Sequence, residues 1–155
     1  MSAAVDTLES VPRTLRIASV NVNGIRAAAR KGMHDWLETA DVDILTLQEA
    51  RAEASDLAAA LPGWHVVNDE ALAKGRAGVA IAAREPLDVW RVDLGDEALD
   101  SKGRWVEADI EVDGELLTVV SAYVFTGEVG TEKQVAKYAF LDAMEERMPH
   151  LGDLA

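Results

Sequence analysis

Cysteine is absent from the 155-residue sequence, which also lacks the long apolar runs that some classes of protein require. Without cysteine, the chain forms neither a disulfide nor a thiolate zinc site. No apolar run approaches the roughly 20 residues that a membrane-spanning helix needs, so no membrane association is expected. The first six residues lack the basic start and apolar core of a secretory signal, which predicts a cytoplasmic protein.

Basic side chains are scarce, because 15 Lys and Arg stand against 28 Asp and Glu and the formal net charge is −13. This charge opposes attraction of a phosphate backbone to the whole surface. A nucleic-acid-binding protein of this composition therefore needs a bound divalent cation or a small basic patch. Arg26, Arg30 and Lys31 form a compact basic group on one predicted helix. Such residues are also commonly the solvated side of an amphipathic helix.

The stretch 42–47 has the near-continuous apolar sequence of a strand that is buried on both faces, and it stops at Gln48 and Glu49. Functional carboxylates in open α/β sheets gather where such strands end. Glu49 is therefore a candidate ligand for a hard cation. Alternatively, Gln48 and Glu49 only begin the solvated turn after a buried strand.

A second strand is predicted over residues 15–22, and it carries Asn21 and leads into Asn23. Sequence compatible with a helix follows both strands, which is how consecutive parallel strands are joined. Since parallel neighbours end at the same sheet edge, Asn21, Asn23 and Glu49 are expected to lie together. Oxygen ligands without cysteine or a nearby histidine favour Mg²⁺ or Mn²⁺ over zinc.

The rest of the chain reads as helices followed by a β-rich part and a last helix. A helix is expected from Gly24 to about Thr39, and a short helix ends at Pro62 and Gly63. Asp113-Gly114 between two apolar runs predicts a β-hairpin. The last helix is expected to run from a cap at Thr131 to about Met148, with these core residues: Val135, Tyr138, Leu141, Met144 and Met148.

Five short motifs follow one another along the chain, at residues 17–27, 43–49, 78–81, 103–106 and 121–124. In this order they resemble the exonuclease III family of abasic-site endonucleases, within the endonuclease/exonuclease/phosphatase superfamily. The resemblance covers about residues 15–145. It implies an α/β fold, namely half of a layered α/β sandwich with a mixed β-sheet.

The resemblance also implies a Mg²⁺-dependent DNA-repair phosphodiesterase, with Mn²⁺ as the alternative metal. Its substrate would be double-stranded DNA with abasic sites or 3′ ends, and no obligate protein partner is implied. The residues carried over from the family motifs are the metal ligands Glu49 and Asn23, the catalytic Asn21 and Tyr123, and the DNA-binding Arg26 and Arg104. The sequence alone leaves other interpretations open, since Tyr123 is also typical of a packing residue and Arg104 could cover the ring of Trp105.

Three departures from the family pattern qualify this interpretation. Ala50-Arg51 replaces a frequent Thr-Lys, and residues 124–127 replace an aromatic-Pro pattern. The Gly-Asp-x-Asn and Ser-Asp-His motifs, which hold the nucleophile and its general base in the family, have no convincing counterpart. Gly152-Asp153 is interpreted as a turn after the last helix.

We therefore expect a flexible leader over residues 1–13 and the N-terminal portion of a single, truncated nuclease domain over 14–155. Such a chain would be inactive alone and would leave a sheet edge unpaired. Two other functions stay open on the sequence. One is a phosphatase or phosphodiesterase of the same superfamily that acts on a small molecule or lipid, and the other is a non-catalytic binding remnant.

Overall fold

The computed structural model describes residues 14–100 and 102–151, so the predicted leader and Gly152-Asp153 lie outside the described residues. The strands are β1 (Ile17–Asn21), β2 (Ile44–Gln48), β3 (His65–Asp69), β4 (Val79–Ala83), β5 (Val89–Arg91), β6 (Trp105–Val112) and β7 (Glu115–Ala122). The helices are α1 (Ile25–Arg30), α2 (Met33–Ala40), α3 (Ala54–Ala60) and α4 (Glu132–Arg147), and a 3₁₀ turn (Met148–His150) follows α4. None of the helices in the described part of the chain is both long and apolar enough to cross a membrane.

Strands β1 to β4 form a mixed four-stranded sheet in the order β1-β2-β4-β3. β1 and β2 are parallel, with Ile17 opposite Ile44 and Asn21 opposite Gln48. β4 is antiparallel to both of its neighbours. The sequence predicted the parallel pairing of the first two strands, and the register confirms it. Both strands therefore deliver their last residues to the same sheet edge.

The other three strands form an antiparallel sheet in the order β5-β6-β7. The hairpin between β6 and β7 turns at Asp113 and Gly114, whose φ angles are 53° and 83°. Positive φ at both central residues is the geometry of the tight hairpin turns that Asp-Gly favours. The predicted hairpin is confirmed.

The two sheets stack on each other, and α1, α2 and α3 cover the outer face of the first sheet. Alternate residues of β4 point to opposite sides, so this strand contributes to both cores. The side chains buried between the sheets are Ile44, Val79, Ile81, Ala83, Val106, Ala108, Ile110 and Val119. Those buried between the first sheet and the helices include Leu45, Leu47, Ala80, Ala82, Ile25, Leu37, Leu57 and Leu61. Burial of each large apolar side chain contributes about 1.5–3 kcal/mol, and these two cores fix the relative positions of β1, β2 and β7.

β1 is an edge strand, because it has only β2 as a neighbour among the described strands. Its residue Ile17 is 52% exposed. An edge strand presents unpaired backbone N–H and C=O groups.

Two expectations about the helices are wrong. The single helix expected over residues 24–39 is divided into α1 and α2, because Gly32 adopts a left-handed conformation with φ 95° that ends the first helix. The core face predicted for α4 is mostly exposed, since Val135 is 69% and Tyr138 58% accessible. α4 instead buries Phe140, which contacts the Phe125 ring at 6.3 Å between centroids. Only a narrow strip of α4 meets the rest of the fold.

Candidate active site

Asn21 and Glu49 lie side by side because the pairing of β1 and β2 continues beyond the strands. Gly24 N–H donates to Glu49 O at 2.8 Å, and Ile25 N–H donates to Ala50 O at 2.9 Å. Asn23 and Glu49 have positive φ angles of 45° and 51°. A left-handed backbone costs a glutamate free energy, and such residues cluster at functional sites.

The carboxylate of Glu49 has a hydrogen-bond donor at each oxygen. Asn21 Nδ2 donates to Oε1 at 2.8 Å, and Arg51 Nη2 donates to Oε2 at 2.5 Å. The hydrogen bonds from Asn21 and then from Arg51 lower the pKa of Glu49 below its ordinary value of 4.5, against the opposing effect of burial. Glu49 is therefore an ionised, oriented carboxylate at neutral pH.

The loop after β1 fixes the amide of Asn21. The backbone N–H of Asn23 donates to Asn21 Oδ1 at 3.1 Å, which leaves Nδ2 directed at Glu49. Asn23 itself is exposed, and its side chain has no hydrogen bond among those described. The structure thus brings Asn21 to Glu49 as predicted, and it leaves the Asn23 side chain open on the same loop.

Tyr123 comes from the second sheet and completes the cluster. Its backbone N–H donates to Arg104 O at 2.9 Å, and its hydroxyl lies near enough to the Glu49 carboxylate for each group to shift the pKa of the other. Burial, and then hydrogen bonding to Glu49 and the charge of Glu49, raise the pKa of Tyr123 above its ordinary value of 10.0. The phenol is therefore protonated at neutral pH and serves as a donor.

A polar bridge holds the two sheets together beside this cluster. Ser121 Oγ donates to Leu47 O at 2.9 Å, and Gln48 Nε2 donates to Ser121 Oγ at 3.3 Å. The bridge links the end of β2 to the end of β7, and Tyr123 directly follows β7. Sequence reasoning did not assign a role to Ser121 or to Gln48. Their pairing depends on how the sheets stack.

Arg51 is the clearest addition to the predicted site. The sequence marked it as a departure from the family pattern that could keep a supporting cation with altered geometry, and the structure pairs it directly with Glu49. Its own φ is 51°, so the chain turns at both residues of the pair. A basic residue two positions after the candidate carboxylate was the available signal, and the contact itself depends on this backbone conformation.

The structure does not join Arg26 and Arg104 to Glu49. Arg26 Nη1 lies 3.3 Å from Asp56 Oδ2. Arg104 stacks its guanidinium over the ring of Phe125, 3.6 Å from the centroid, and not over Trp105 as the sequence suggested. Its Nε is buried without a hydrogen-bond partner in the described part of the chain. Burial lowers the pKa of Arg104, while Tyr123 opposes that shift.

The donor set around Glu49 fits a hard cation such as Mg²⁺ better than zinc. Residues 14–100 and 102–151 contain no group of three His, Cys, Asp or Glu side chains that could hold a metal. Mg²⁺ commonly keeps several waters and binds through one or two carboxylates together with substrate phosphate. One carboxylate flanked by amide side chains meets that requirement.

This combination of stacked sheets and a carboxylate at parallel strand ends defines a known class of protein. The chain belongs to the endonuclease/exonuclease/phosphatase family, whose family model matches residues 18–151. Membership confirms the resemblance found in the motifs. Individual relatives show which members of this family the chain is similar to.

The chain is 35% identical over 158 residues to the DNA repair nuclease APEX1 of Danio rerio, covering 90% of this chain and 48% of that protein. It is 33% identical over 99 residues to an exodeoxyribonuclease of Bacillus subtilis, covering 63% and 39%. An AP endonuclease structure from Archaeoglobus fulgidus matches with TM-score 0.69 and 31% identity, covering 84% of this chain and 49% of that one. A 3′-5′ exonuclease structure from Neisseria meningitidis gives TM-score 0.72 and 28% identity, covering 88% and 54%.

These structures confirm the predicted α/β sandwich. The chain spans about half the length of the relatives it matches, from 39% to 48% of the curated proteins and from 49% to 54% of the two structures. The family and the fold therefore apply to this chain directly. The activity, substrates and partners belong to the complete relatives, and for this chain we only propose them.

Proposed function

We propose that this chain forms part of a Mg²⁺-dependent DNA-repair phosphodiesterase of the exonuclease III type. The observation that carries the proposal is the Glu49 carboxylate, held by Asn21 and Arg51 and touched by Tyr123, at the end of two parallel strands. The names of the relatives support it, since they are DNA repair nucleases and exodeoxyribonucleases. A related 3′ phosphatase from Neisseria is described as bound to a product DNA hairpin.

Glu49 would hold the metal, with Asn23 as the neighbouring ligand from the loop after β1. Mn²⁺ would serve in place of Mg²⁺ because it accepts the same oxygen ligands. A bound divalent cation supplies charge neutralisation at the phosphate that is cleaved. Asn21 would orient Glu49 and direct its amide toward the reacting phosphate.

Tyr123 would act as a hydrogen-bond donor to a phosphate oxygen at the bond that is cleaved. Its raised pKa keeps the phenolic proton in place at neutral pH. Preorganised donors of this kind act where negative charge develops in the transition state. A phosphate oxygen would take the position that Glu49 now fills as the acceptor of this proton.

Arg26 and Arg104 would hold the DNA backbone beside the metal site. Contacts of arginine with phosphate position a duplex without reading its sequence. The substrate is proposed to be double-stranded DNA that carries an abasic site or a 3′ end. A local arrangement of cations is needed because the formal net charge of −13 would otherwise repel DNA.

Hydrolysis also needs a group that activates water, and the side chains hydrogen-bonded to the Glu49 carboxylate in residues 14–100 and 102–151 are those of Asn21 and Arg51, neither of which is a general base. We therefore propose that the 155-residue chain binds metal but does not turn over abasic DNA by itself. Residues of a longer protein would complete the site. Robust cleavage of an abasic duplex by this chain with Mg²⁺ would contradict this part of the proposal.

A Mn²⁺ titration followed by electron paramagnetic resonance tests the metal site. Glu49→Gln keeps the shape of the side chain and removes its charge, so it should weaken the specific Mn²⁺ site by at least about tenfold. Glu145→Gln on the exposed part of α4 is the matched control, because it removes the same charge away from the cluster. Equal Mn²⁺ affinity in the two variants would show that Glu49 is not the ligand.

A further inference from the structure

Two cation-lined clefts lie beside the candidate active site. We call the first the α3 cleft; it has a volume of about 190 Å³, and its charged lining is Arg26, Arg51, Lys74 and Arg76 together with Glu53, Asp56 and Glu70. We call the second the loop cleft; it has a volume of about 250 Å³, and its charged lining is Arg76, Lys102 and Arg104. No acidic residue lines the loop cleft within the described part of the chain.

The α3 cleft differs because three of its cations, Arg26, Arg51 and Lys74, already have carboxylate partners. Arg26 Nη1 lies 3.3 Å from Asp56 Oδ2, and Lys74 Nζ lies 3.2 Å from Glu53 Oε1. Glu53 is the N-cap residue of α3, and Asp56 lies in its first turn. Both carboxylates therefore come from one short helix that faces the cleft.

These ion pairs are not what holds α3 in place. The helix buries Leu57 and Ala60, and Leu61 directly after it is also buried, each being at most 6% exposed. The side chain of Asp56 is 29% exposed and that of Glu53 55% exposed. Exposed ion pairs contribute little to stability, so these carboxylates can separate from their partners at small cost.

We propose that Glu53 and Asp56 compete with DNA phosphate for Lys74 and Arg26, so that DNA enters the α3 cleft by replacing carboxylate with phosphate. This inference rests on the proposed function, which makes DNA the ligand. The loop cleft has no such competitor and would hold the backbone first. The acids of α3 would then limit how tightly the duplex is held in the α3 cleft, which adjoins the loop cleft at Ala71 and Arg76.

The competition has a signature in the salt dependence of binding. A cation that binds phosphate releases counterions from DNA, and the slope of log K against log salt reaches about −0.9 for each contact with duplex DNA. When Arg26 leaves Asp56 for a phosphate, the freed carboxylate takes up a counterion and offsets that release. Removing the carboxylate should therefore make the slope steeper by up to about 0.9.

Fluorescence anisotropy of a labelled duplex with an abasic-site analogue measures both the DNA affinity and its salt dependence. The titrations are made in EDTA, which prevents cleavage, over a series of KCl concentrations. Asp56→Asn and Glu53→Gln should each tighten binding by about two- to fivefold, the range that exposed ion pairs give. Asp142→Asn on α4 is the matched control, because Asp142 is exposed and lies away from both clefts. The control should change neither the affinity nor the slope beyond a small general effect of net charge.

A second comparison tests whether Arg26 is the cation that causes the tighter DNA binding of Asp56→Asn. In an Arg26→Gln background, Asp56→Asn should no longer tighten binding, because the cation that it frees is absent. If Asp56→Asn itself impairs folding, as judged by circular dichroism, Glu53→Gln and Lys74→Gln form the equivalent pair. A gain that persists without the cation would overturn the proposal, since it would then reflect only the net charge.

The remaining outcomes separate this inference from the proposed function. If the unmodified chain binds DNA and the two α3 variants behave like Asp142→Asn, the competition is wrong and the DNA-binding proposal stands. If no variant binds DNA at any salt concentration, both are wrong with respect to DNA. The Mn²⁺ titration of Glu49→Gln reports on the metal site independently of either result.

Discussion

The buried carboxylate of Glu107 should be the most sensitive single charge in the second sheet. Glu107 is 0% exposed and lies on β6, the middle strand of the second sheet. Its Oε1 accepts hydrogen bonds from Arg91 Nε at 2.5 Å and from Arg147 Nη2 at 2.5 Å. Since Arg91 belongs to β5 and Arg147 is the last residue of α4, one carboxylate connects three elements of the fold.

Glu107→Gln keeps the size of the side chain and removes its charge. Hydrogen bonds to charged groups contribute about 1.5–3 kcal/mol each, and breaking a buried ion pair costs about 3–5 kcal/mol. The arginine side chains are 28% and 22% exposed, so water would partly compensate them. Arg91 also keeps Asp109, whose Oδ1 lies 3.1 Å from its Nη2. We therefore expect a loss of about 2–4 kcal/mol in the free energy of unfolding.

Urea unfolding followed by circular dichroism measures this loss, and the melting temperature should fall by roughly 5–15 °C for a chain of this length. Glu111→Gln is the control, because Glu111 lies on the same strand with its side chain exposed. The control should change the free energy of unfolding by less than about 0.5 kcal/mol. Equal stability of the two variants would refute the conclusion that the ion pairs of Glu107 with Arg91 and Arg147 stabilise the packing of α4 against the second sheet.

Three further predictions concern single positions. Gly103→Ala should lower the free energy of unfolding in urea by more than about 2 kcal/mol, because the added Cβ would lie 2.6 and 2.8 Å from two backbone nitrogens. Gly114→Ala is the control and should lower it by only about 1 kcal/mol, because no atom lies within 4 Å of the added Cβ. In a Tyr138→Phe background, ultraviolet titration should give Tyr123 a pKa above 10.0, and Glu49→Gln should lower this pKa by removing the negative charge of Glu49; an unchanged pKa would disprove the contact. Because the pKa of Glu49 is lower in the folded state, its ionisation stabilises the fold at pH values above 4.5, and this stabilisation should disappear as the pH falls below 4.5 through the lowered pKa. Urea unfolding should therefore show that acid reduces the free energy of unfolding less for Glu49→Gln than for the unmodified chain.

The contact between Asn21 and Glu49 could be predicted because it depends on local rules. Apolar runs marked the strands, the helical sequence between them implied parallel pairing, and parallel strands end at one edge. The observed distance of 2.8 Å between Asn21 Nδ2 and Glu49 Oε1 follows from that register. The hairpin at Asp113-Gly114 was predictable for the same kind of reason, since its turn chemistry is contained in two adjacent residues.

The partners of the arginines could not be read from the sequence. Arg51 reaches Glu49 through two left-handed backbone positions. Arg104 lies on Phe125, and Arg26 lies beside Asp56, in contacts between segments that are distant along the chain. The sequence offers many carboxylates and aromatic rings that a long, flexible arginine side chain could contact. Only the tertiary packing decides which of them it contacts.

The helix α4 shows the same division between local pattern and packing. Its length and its start after Thr131 were predictable from propensity and capping pattern. Its buried face was not, because a periodic apolar pattern fits more than one face when several apolar residues are distributed around the helix. Contact with Phe125 and the ion pair of Arg147 with Glu107 decide which face is covered.

The sequence by itself determined the order of the elements, the parallel pair of strands, the hairpin and the family. These features depend on neighbours in the chain, where period, turn residues and short motifs act directly. The stacking of the sheets decided the rest: that Tyr123 on the second sheet reaches Glu49 on the first, and that α3 sets carboxylates against the cations of its cleft. Side chains that are far apart in sequence meet only when the buried cores fix the distance between their elements, and no local pattern encodes that distance.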